Sequence, residues 1–300
     1  MTAPVTVAVV GAGPAGMMAA IAAAECGAKV LLLEQLRRPG VKLLATGGGR
    51  CNITNLTPTP AFLASFGRQG RFMAPAIDLL GPAALREFFA RLGLPTVVEE
   101  GVYVFPASGR AADVQAALAR RCGQLGVETL TSCAVTGLTT DGGAVKGVVC
   151  SDGRAMAADR VVLACGGKSW PELGGTGGGY DLARQAGHTI VEPTPALVPL
   201  ITREKWPEKL AGVSLPAARV WIDLPRQSKA GLAGGLLLTH HGLSGPAILN
   251  LSGAVAGLLA ATSAPVPIRV EWSAGVDVAA WRGRFDQWRT QAGARAIVNL

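Results

Sequence analysis

The sequence predicts an α/β protein that opens with a Rossmann-like domain. Residues 5–10 form a short β-rich run, residues 11–16 read Gly-Ala-Gly-Pro-Ala-Gly, and residues 14–27 are rich in alanine and methionine, which favour a helix. A second apolar run, residues 29–33, ends at Glu34. The order is therefore strand, glycine turn, helix and second strand, with an acidic residue at the end of the second strand. This order is typical of the first unit of a doubly wound sheet.

Each glycine of this Gly-x-Gly-x-x-Gly motif has a distinct task. Gly11 permits the tight turn, Gly13 lets the backbone approach a phosphate, and Gly16 lets the helix pack closely on the strand. The start of the helix offers free N–H groups and the positive end of the helix dipole to an anion. Glu34 is placed to accept a hydrogen bond from a ribose hydroxyl. The motif therefore predicts a dinucleotide site; the alternative is a glycine turn with a purely structural role.

A second glycine-rich segment lies within a predicted loop, residues 36–55. Three consecutive glycines, at 47–49, indicate that the backbone must lie close to another group. The segment is either a second cradle for the same anionic ligand or a flexible surface loop. Its polar and charged side chains include Lys42, Thr46, Arg50 and Asn52.

The next part of the chain alternates between helical and β-type patterns. Residues 81–93 and 111–123 have the spacing of amphipathic helices, and residues 97–105 between them are strand-like. Three β-rich runs follow, separated by Asp-Gly-Gly and Ser-Asp-Gly turns, which predicts a β-meander. The meander returns to a buried strand at residues 160–164, which a further glycine turn follows. The three runs are residues 127–138, 144–150 and 156–164.

The pattern changes after His188, where prolines become frequent and β-type runs replace the helices. We place a domain boundary near Val191. An apolar helix is predicted from Pro246 and a strand over residues 266–272, and residues 278–288 have apolar positions on one helical face. The predicted domains are therefore residues 1–190, Rossmann-like; residues 191–275, a β-rich insert; and residues 276–300, the start of a helical region.

Composition limits the class of protein. The chain has 300 residues, of which 49% are hydrophobic and 16% charged, so a substantial buried core is expected. The formal net charge of +8 would attract anionic ligands. The basic residues are scattered rather than clustered, which disfavours a nucleic-acid partner.

The cysteines and the N-terminus indicate a reducing compartment. None of the six cysteines occurs in a Cys-x-x-Cys pair or at metal-type spacing, which argues against a redox dithiol and against a metal site. We expect unpaired thiols that act as small apolar groups in the cytoplasm. The N-terminus has no basic segment of a secretory signal. The most membrane-like window, residues 245–262, carries Asn250, Ser252 and several glycines and is expected to be a buried helix.

Five motifs carry a resemblance to a known family. They are residues 11–16, Lys-Leu-Leu-Ala-Thr-Gly-Gly-Gly-Arg-Cys-Asn at 42–52, Ala-Cys-Gly-Gly-Lys-Ser at 164–169, Ala-Leu-Val-Pro-Leu at 196–200, and the stretch at 238–249 that begins Leu-Thr-His-His-Gly. The chain resembles the bacterial HI0933-like, or YhiN-like, family of FAD-dependent, NAD(P)-linked flavoproteins. The second and the last motif are the specific ones.

The resemblance implies an FAD-binding domain interrupted by the β-rich insert and the helical region. It also implies a closing segment that returns to the FAD domain, which residues 1–300 do not contain. The glycine motif would hold the pyrophosphate, residues 42–52 would line the flavin side, and the meander would offer backbone to the adenine. The implied FAD-binding residues are Gly11, Gly13, Pro14, Ala15, Gly16, Glu34, Gln35, Lys42, Thr46, Gly47, Gly48, Gly49, Arg50, Cys51, Asn52, Val135, Ala164, Gly166 and Gly167.

Several side chains are candidates for chemistry beside a flavin. Lys42 and Arg50 could stabilise an anionic reduced ring, although Arg50 could instead only hold its loop. His240 could protonate a substrate, or it could be a turn histidine that fixes the insert. Cys51 is interpreted as a packing residue, because it has no partner for dithiol chemistry.

These features predict an FAD-dependent oxidoreductase that moves a hydride through flavin N5 to or from an apolar organic substrate, for example at an activated C=C bond. NAD(P)H would be a transient electron donor, since the sequence has no second dinucleotide motif. Two alternatives stay open: a flavin- or nucleotide-binding protein without turnover, and a flavoprotein that acts on RNA. They differ in whether NAD(P)H reduces the bound flavin and whether RNA binds with a strong salt dependence.

Overall fold

The computed structural model describes residues 3–273 and 275–292. The chain divides into two compact units, the first ending at Val191 and the second beginning at Glu192. Residues 293–300 of the predicted helical region lie outside the described residues.

The first unit is built from short strands and helices that alternate along much of the chain. Its strands are β1 (Thr6–Val10), β2 (Lys29–Leu33), β3 (Thr54–Asn55), β4 (Thr96–Glu99), β5 (Tyr103–Pro106), β6 (Glu128–Leu130), β7 (Val135–Asp141), β8 (Ala144–Cys150), β9 (Ala155–Ala157) and β10 (Arg160–Leu163). Its helices are α1 (Pro14–Glu25), α2 (Val41–Ala45), α3 (Thr59–Ala64), α4 (Gly70–Leu79), α5 (Pro82–Arg91), α6 (Ala111–Gln124) and α7 (Gly178–Gln185).

A parallel sheet with the strand order β10-β1-β2-β6 forms the centre of the first unit. β1 lies between β2, with Thr6 opposite Lys29, and β10, with Val7 opposite Arg160. Parallel neighbours need a crossover, and α1 supplies it between β1 and β2. The predicted α/β class and its Rossmann-like sheet are confirmed.

Alternate residues of the central strands enter two cores, because successive side chains point to opposite faces of a strand. Val9 and Leu32 pack on one face with Met17 of α1 and Leu118 of α6. On the other face, the core joins strand residues to the meander β7-β8-β9 and to α7; its buried members include Val10, Leu33, Cys133, Val148, Cys150 and Leu182.

Several predicted elements differ from the structure. The run 156–164 is divided between β9 of the meander and β10 of the parallel sheet. The run 97–105 is a hairpin of β4 and β5, since Glu100 and Gly101 both have positive φ and reverse the chain. The run 127–138 is broken at Ser132, which has a φ of 53°, so β6 joins the parallel sheet while β7 begins the meander. The predicted loop 36–55 contains α2, a 3-10 turn and β3.

The predicted buried strand at residues 160–164 is only partly buried. β10 is the edge of the parallel sheet, and Val162 and Leu163 are each 37% exposed. The apolar sequence correctly indicates a strand, but an apolar run alone does not distinguish a central strand from an edge strand.

The second unit is a five-stranded antiparallel sheet, in the order β11-β14-β13-β12-β15, with α9 packed on it. Its elements are β11 (Leu200–Ile201), α8 (Trp206–Lys209), β12 (Ser214–Ile222), β13 (Leu232–Thr239), β14 (Gly242–Ser244), α9 (Pro246–Thr262), β15 (Ile268–Glu271) and α10 (Val278–Ala292). The predicted apolar helix is thus α9, whose buried residues Ile248, Leu251 and Val255 face the sheet. Within the described ranges, no helix is both long and apolar enough to cross a bilayer.

The start of α1 gives a stability prediction. A Cβ atom at Gly16 would lie 1.8 Å from the carbonyl oxygen of Gly11, so Gly16→Ala must displace the helix or the turn. We expect a loss of about 3 kcal/mol or more in the free energy of unfolding, measured by urea denaturation. The control is Gly123→Ala in α6, where a Cβ would meet no other atom within 4 Å and should stabilise by about 0.5–1 kcal/mol. Equal effects of the two substitutions would contradict this packing.

Candidate functional site

A cavity of about 390 Å³ lies at the carboxyl ends of β1, β2 and β10. This edge is where open α/β sheets bind their ligands. The structure brings together twelve of the residues implied by the resemblance in its wall, which are Gly11, Gly13, Pro14, Ala15, Glu34, Gln35, Lys42, Thr46, Val135, Ala164, Gly166 and Gly167.

The glycine turn is fixed by close backbone contacts. The Gly11 N–H donates to the carbonyl oxygen of Leu33 at 2.7 Å, and its φ of +99° lies in the left-handed region that favours glycine. A Cβ at Gly11 would lie 2.6 Å from the carbonyl oxygen of Ala164. The turn after β1 therefore contacts the ends of both neighbouring strands.

Gly13 differs from the other two glycines of the motif. Its φ of −69° and ψ of 178° are open to any residue, and a Cβ there would meet no other atom within 4 Å. The folded protein itself therefore does not require glycine at this position. Gly13 is also the N-cap of α1 and provides no side chain to the first N–H groups of the helix. These amides can serve an anion in the cavity.

Glu34 is a buried carboxylate in the cavity wall, 7% exposed. One of its oxygens accepts a hydrogen bond from the Ala12 N–H at 2.8 Å, and the other accepts one from the Leu36 N–H at 2.9 Å. The side chain therefore joins the glycine turn to the chain that leaves β2. Each oxygen has a further lone pair with which it can accept a hydroxyl.

Lys42, on α2, carries positive charge into the same wall. Its Nζ donates to the carbonyl oxygen of Ser169 at 2.9 Å and contacts the Ser169 Oγ at 2.6 Å. The lysine therefore joins α2 to the chain that follows β10. This contact fixes a cation at the cavity between two segments that are distant in sequence.

Arg50 has a different environment. Its guanidinium forms an ion pair with Glu99 of β4 and lies 4.3 Å from the ring centroid of Phe105 of β5. Both contacts hold the glycine segment on the β4-β5 hairpin. Seven residues implied by the resemblance do not line the cavity, namely Gly16, Gly47, Gly48, Gly49, Arg50, Cys51 and Asn52.

Cys51 is buried, 3% exposed, and its N–H donates to the carbonyl oxygen of Thr46 at 3.1 Å. Burial raises the pKa of the Cys51 thiol, although a hydrogen bond with the Thr46 side chain opposes this. A raised pKa leaves little thiolate at neutral pH, which disfavours nucleophilic chemistry at this position.

Sequence reasoning missed one more glycine-rich segment, residues 173–179. Most of its residues line the cavity. The segment packs closely against the chain that follows β10: a Cβ at Gly175 would lie 1.9 Å from the carbonyl oxygen of Ser169. A Cβ at Gly179 would lie 2.8 Å from the Cys165 Cβ. The signal was present in the sequence, since five of the six residues from Gly174 to Gly179 are glycine.

His240 lies in the second unit, in the two-residue turn between β13 and β14. The Thr239 Oγ1 accepts the Gly242 N–H at 3.1 Å, so the turn is held without the imidazole ring. His240 is exposed and borders a small cavity of about 90 Å³ with Lys205 and Glu208.

Comparison with known proteins relates the whole arrangement to one family. Residues 5–281 match the family described as "HI0933-like protein Rossmann domain". The chain is 40% identical over 249 residues to a 3-dehydro-bile acid delta(4,6)-reductase of Clostridium scindens. The aligned residues cover 81% of this chain and 59% of that protein.

Two further relatives carry another name, ribosomal RNA dihydrouridine synthase. The protein from Haemophilus influenzae is 30% identical over 248 residues, 81% of this chain and 60% of its own length. The protein from Escherichia coli is 29% identical over 254 residues, 81% of this chain and 59% of its own length. The chain thus spans about three fifths of each of these relatives.

The hydrogen bonds of Glu34 give a second prediction. Glu34→Gln keeps the size of the side chain but replaces one acceptor oxygen by an NH₂ group that cannot accept a backbone N–H. We expect a loss of about 1.5–3 kcal/mol in the free energy of unfolding, measured by urea denaturation. The matched control is Glu25→Gln, which breaks the more exposed ion pair with Arg121 and should cost less than about 1 kcal/mol. A larger loss from the control than from Glu34→Gln would show that the buried carboxylate does not hold the turn.

Proposed function

The chain belongs to the HI0933-like family, and from this premise we propose that it is an FAD-dependent oxidoreductase. Its reaction is the reduction of an activated C=C bond in an apolar organic substrate, with NAD(P)H as a transient electron donor. The observation that carries the proposal is the cavity at the start of α1, where uncapped amides and the buried Glu34 carboxylate lie in one wall.

The residues of this cavity fit a dinucleotide diphosphate. Gly11 and Gly16 are explained by contacts within the protein, whereas the open space at Gly13 is explained by a ligand that needs the backbone close. The first amides of α1 would hold the diphosphate. Glu34 would accept the ribose hydroxyl with lone pairs that its two backbone hydrogen bonds leave unused.

Lys42, which also lines the cavity, would contact the flavin end. When bound, FAD accepts and donates a hydride at N5 of its ring. Lys42 would stabilise negative charge beside the ring, because its contacts with Ser169 hold the ammonium at the wall. The ion pair of Arg50 with Glu99 favours the other role considered for this arginine, which is to hold the loop.

The names of the relatives support the type of reaction. A 3-dehydro group is a ketone, and delta(4,6) denotes double bonds conjugated with it. Dihydrouridine is uridine in which a ring C=C bond next to a carbonyl has gained two hydrogens. Both names therefore describe an activated C=C bond, although one substrate is a bile acid and the other is RNA.

Addition of hydrogen across such a bond needs a proton as well as a hydride. We propose His240 as the residue that supplies it. Because Thr239 holds the turn, the imidazole ring is not needed for the turn geometry. Imidazole also exchanges protons near neutral pH.

A second function is favoured by two of the relatives and by charge. The names of the H. influenzae and E. coli proteins identify ribosomal RNA as their substrate, and the net charge of +8 suits a polyanion. We rank it below the small-molecule reaction, because identity with the bile acid reductase is higher, at 40%. A nucleotide-binding role without turnover is the third alternative.

The cofactor proposal predicts a flavin absorption spectrum for the purified full-length protein. The flavin bands should disappear on anaerobic addition of NADH or NADPH.

Gly13→Asp should lower FAD affinity by about 100-fold or more, because it places like charge beside the diphosphate. Its fold should be intact, since the Cβ has open space. The control Gly123→Asp, outside the cavity, should retain FAD. Equal FAD occupancy in the two variants, by absorbance after gel filtration, would refute the site. Flavin that NADH and NADPH leave oxidised would support the non-catalytic alternative.

The substrate proposal predicts that the reduced holoenzyme is reoxidised by a steroid dienone faster than by uridine-containing RNA. Flavin reoxidation followed by absorbance gives both rates, and mass spectrometry identifies the saturated product. RNA that gains two hydrogens per uridine, with binding whose log affinity falls linearly with log salt concentration, would establish the second function instead.

A further inference from the structure

The first unit contains a pair of thiols that the sequence does not reveal. Cys133 lies in the segment between β6 and β7, and Cys150 is the last residue of β8. Their Sγ atoms are 2.6 Å apart, closer than non-bonded sulfur atoms pack. The antiparallel pairing of Val135 with Cys150, and a 2.7 Å hydrogen bond from the Ser151 N–H to the Ala134 carbonyl oxygen, hold the two segments together.

The surroundings of the pair are apolar and enclosed. Each cysteine is 2% exposed, and both belong to the core that includes Leu33, Val148 and Leu182. A disulfide bond between them would need no new polar partner, because it removes two S–H groups from this core. Cys133 is also one of the residues that line the cavity at the edge of the parallel sheet, whereas Cys150 is not.

We propose that Cys133 and Cys150 are a redox-modification site, which a hydroperoxide converts to a disulfide bond in the wall of the cavity. This inference rests on the two thiols and on the place of Cys133 in the cavity wall, and it does not depend on the identity of the cofactor.

The reaction has two steps, and it begins at the thiol on the cavity. The Cys133 sulfur attacks one peroxide oxygen, the O–O bond breaks, and Cys133 becomes a sulfenic acid while water or an alcohol leaves. The Cys150 sulfur then attacks the Cys133 sulfur, the S–S bond forms, and the hydroxyl leaves as water. The two thiols lose two electrons and two protons in total, and the peroxide gains them. A dithiol reductant reverses the bond by thiol–disulfide exchange.

The ionisation of Cys150 fits this order. Burial, followed by the hydrogen bond with Cys133, raises the pKa of the Cys150 thiol to about 12. Cys150 is therefore protonated at neutral pH, which disfavours it as the group that attacks the peroxide.

The disulfide would tie the cavity wall to the meander. The Cys133 N–H donates to the carbonyl oxygen of Glu34 at 2.8 Å, so the segment that carries Cys133 is already joined to the end of β2. An S–S bond would add a covalent link from this point to β8 and close a loop that contains β7 and most of β8. Such a link stabilises the fold by restricting the unfolded chain.

The test uses the full-length protein with all its thiols reduced. The protein is treated with hydrogen peroxide and then alkylated under denaturing conditions. We expect the six free thiols to fall to four, and a tryptic map to show the peptide with Cys133 linked to the peptide with Cys150. Trypsin separates them at Lys146, and fragmentation distinguishes Cys133 from Cys122 in its own peptide. The melting temperature of the oxidised protein should rise by about 5–10 °C, and dithiothreitol should return it to the initial value.

Two variants complete the test. Cys150→Ala should form no link and lose only the Cys133 thiol, as a sulfenic acid that dimedone traps, with no rise in melting temperature. The control Cys26→Ala, at an exposed position, should still form the link and lose two thiols. Six thiols in the treated wild type, a link that uses another cysteine, or irreversible oxidation of Cys133 without a link would each overturn the proposal. The wild-type map decides the question even if the Cys150 variant does not fold.

Discussion

The architecture of the first unit depends on a close backbone contact at the turn after β1. The Gly11 N–H is bound to the end of β2, its Cα faces the carbonyl of Ala164 after β10, and its own carbonyl lies under Gly16 of α1. One residue thus fixes the ends of two strands and the start of a helix. Side chains at Gly11 or Gly16 would separate these elements, and the amides of α1 would no longer point at the edge of the sheet.

A site built from main chain must still control its electrostatics. The cavity is lined both by the positive end of the α1 dipole and by the buried Glu34 carboxylate. Their opposite charges do not make the site neutral toward a ligand, because each would contact a different group of it. The amides suit a diphosphate, while the Glu34 carboxylate, held by two N–H donors, would repel a phosphate and accept a hydroxyl. A dinucleotide carries both groups in a fixed order, so under the proposed function this pairing would discriminate it from a simple anion.

The sequence predicts structure that depends on residues close together along the chain, and it does not predict contacts between residues far apart along it. The strand, turn, helix and acid of residues 6–34 are local, and their order identified the Rossmann-like sheet. By contrast, the partner of Arg50 is Glu99, and the partner of Lys42 is Ser169, 127 residues away. Such contacts depend on how the sheet brings loops together, which spacing along the chain does not show. The two cysteines are a further example. The sequence contains no Cys-x-x-Cys motif, yet antiparallel pairing places Cys133 beside Cys150.

A backbone site also explains how one family can include relatives named for substrates as different as a bile acid and ribosomal RNA. Contacts made by N–H and C=O groups tolerate changes of side chain. Recognition of a steroid or an RNA base, however, must depend on side chains, because apolar area and hydrogen-bonding groups distinguish these substrates. Under the proposed function, cofactor binding and substrate choice therefore rest on different groups of this protein. Cofactor binding rests on the backbone of the glycine turns that line the cavity, on Glu34 and on Lys42. Substrate choice rests on other side chains.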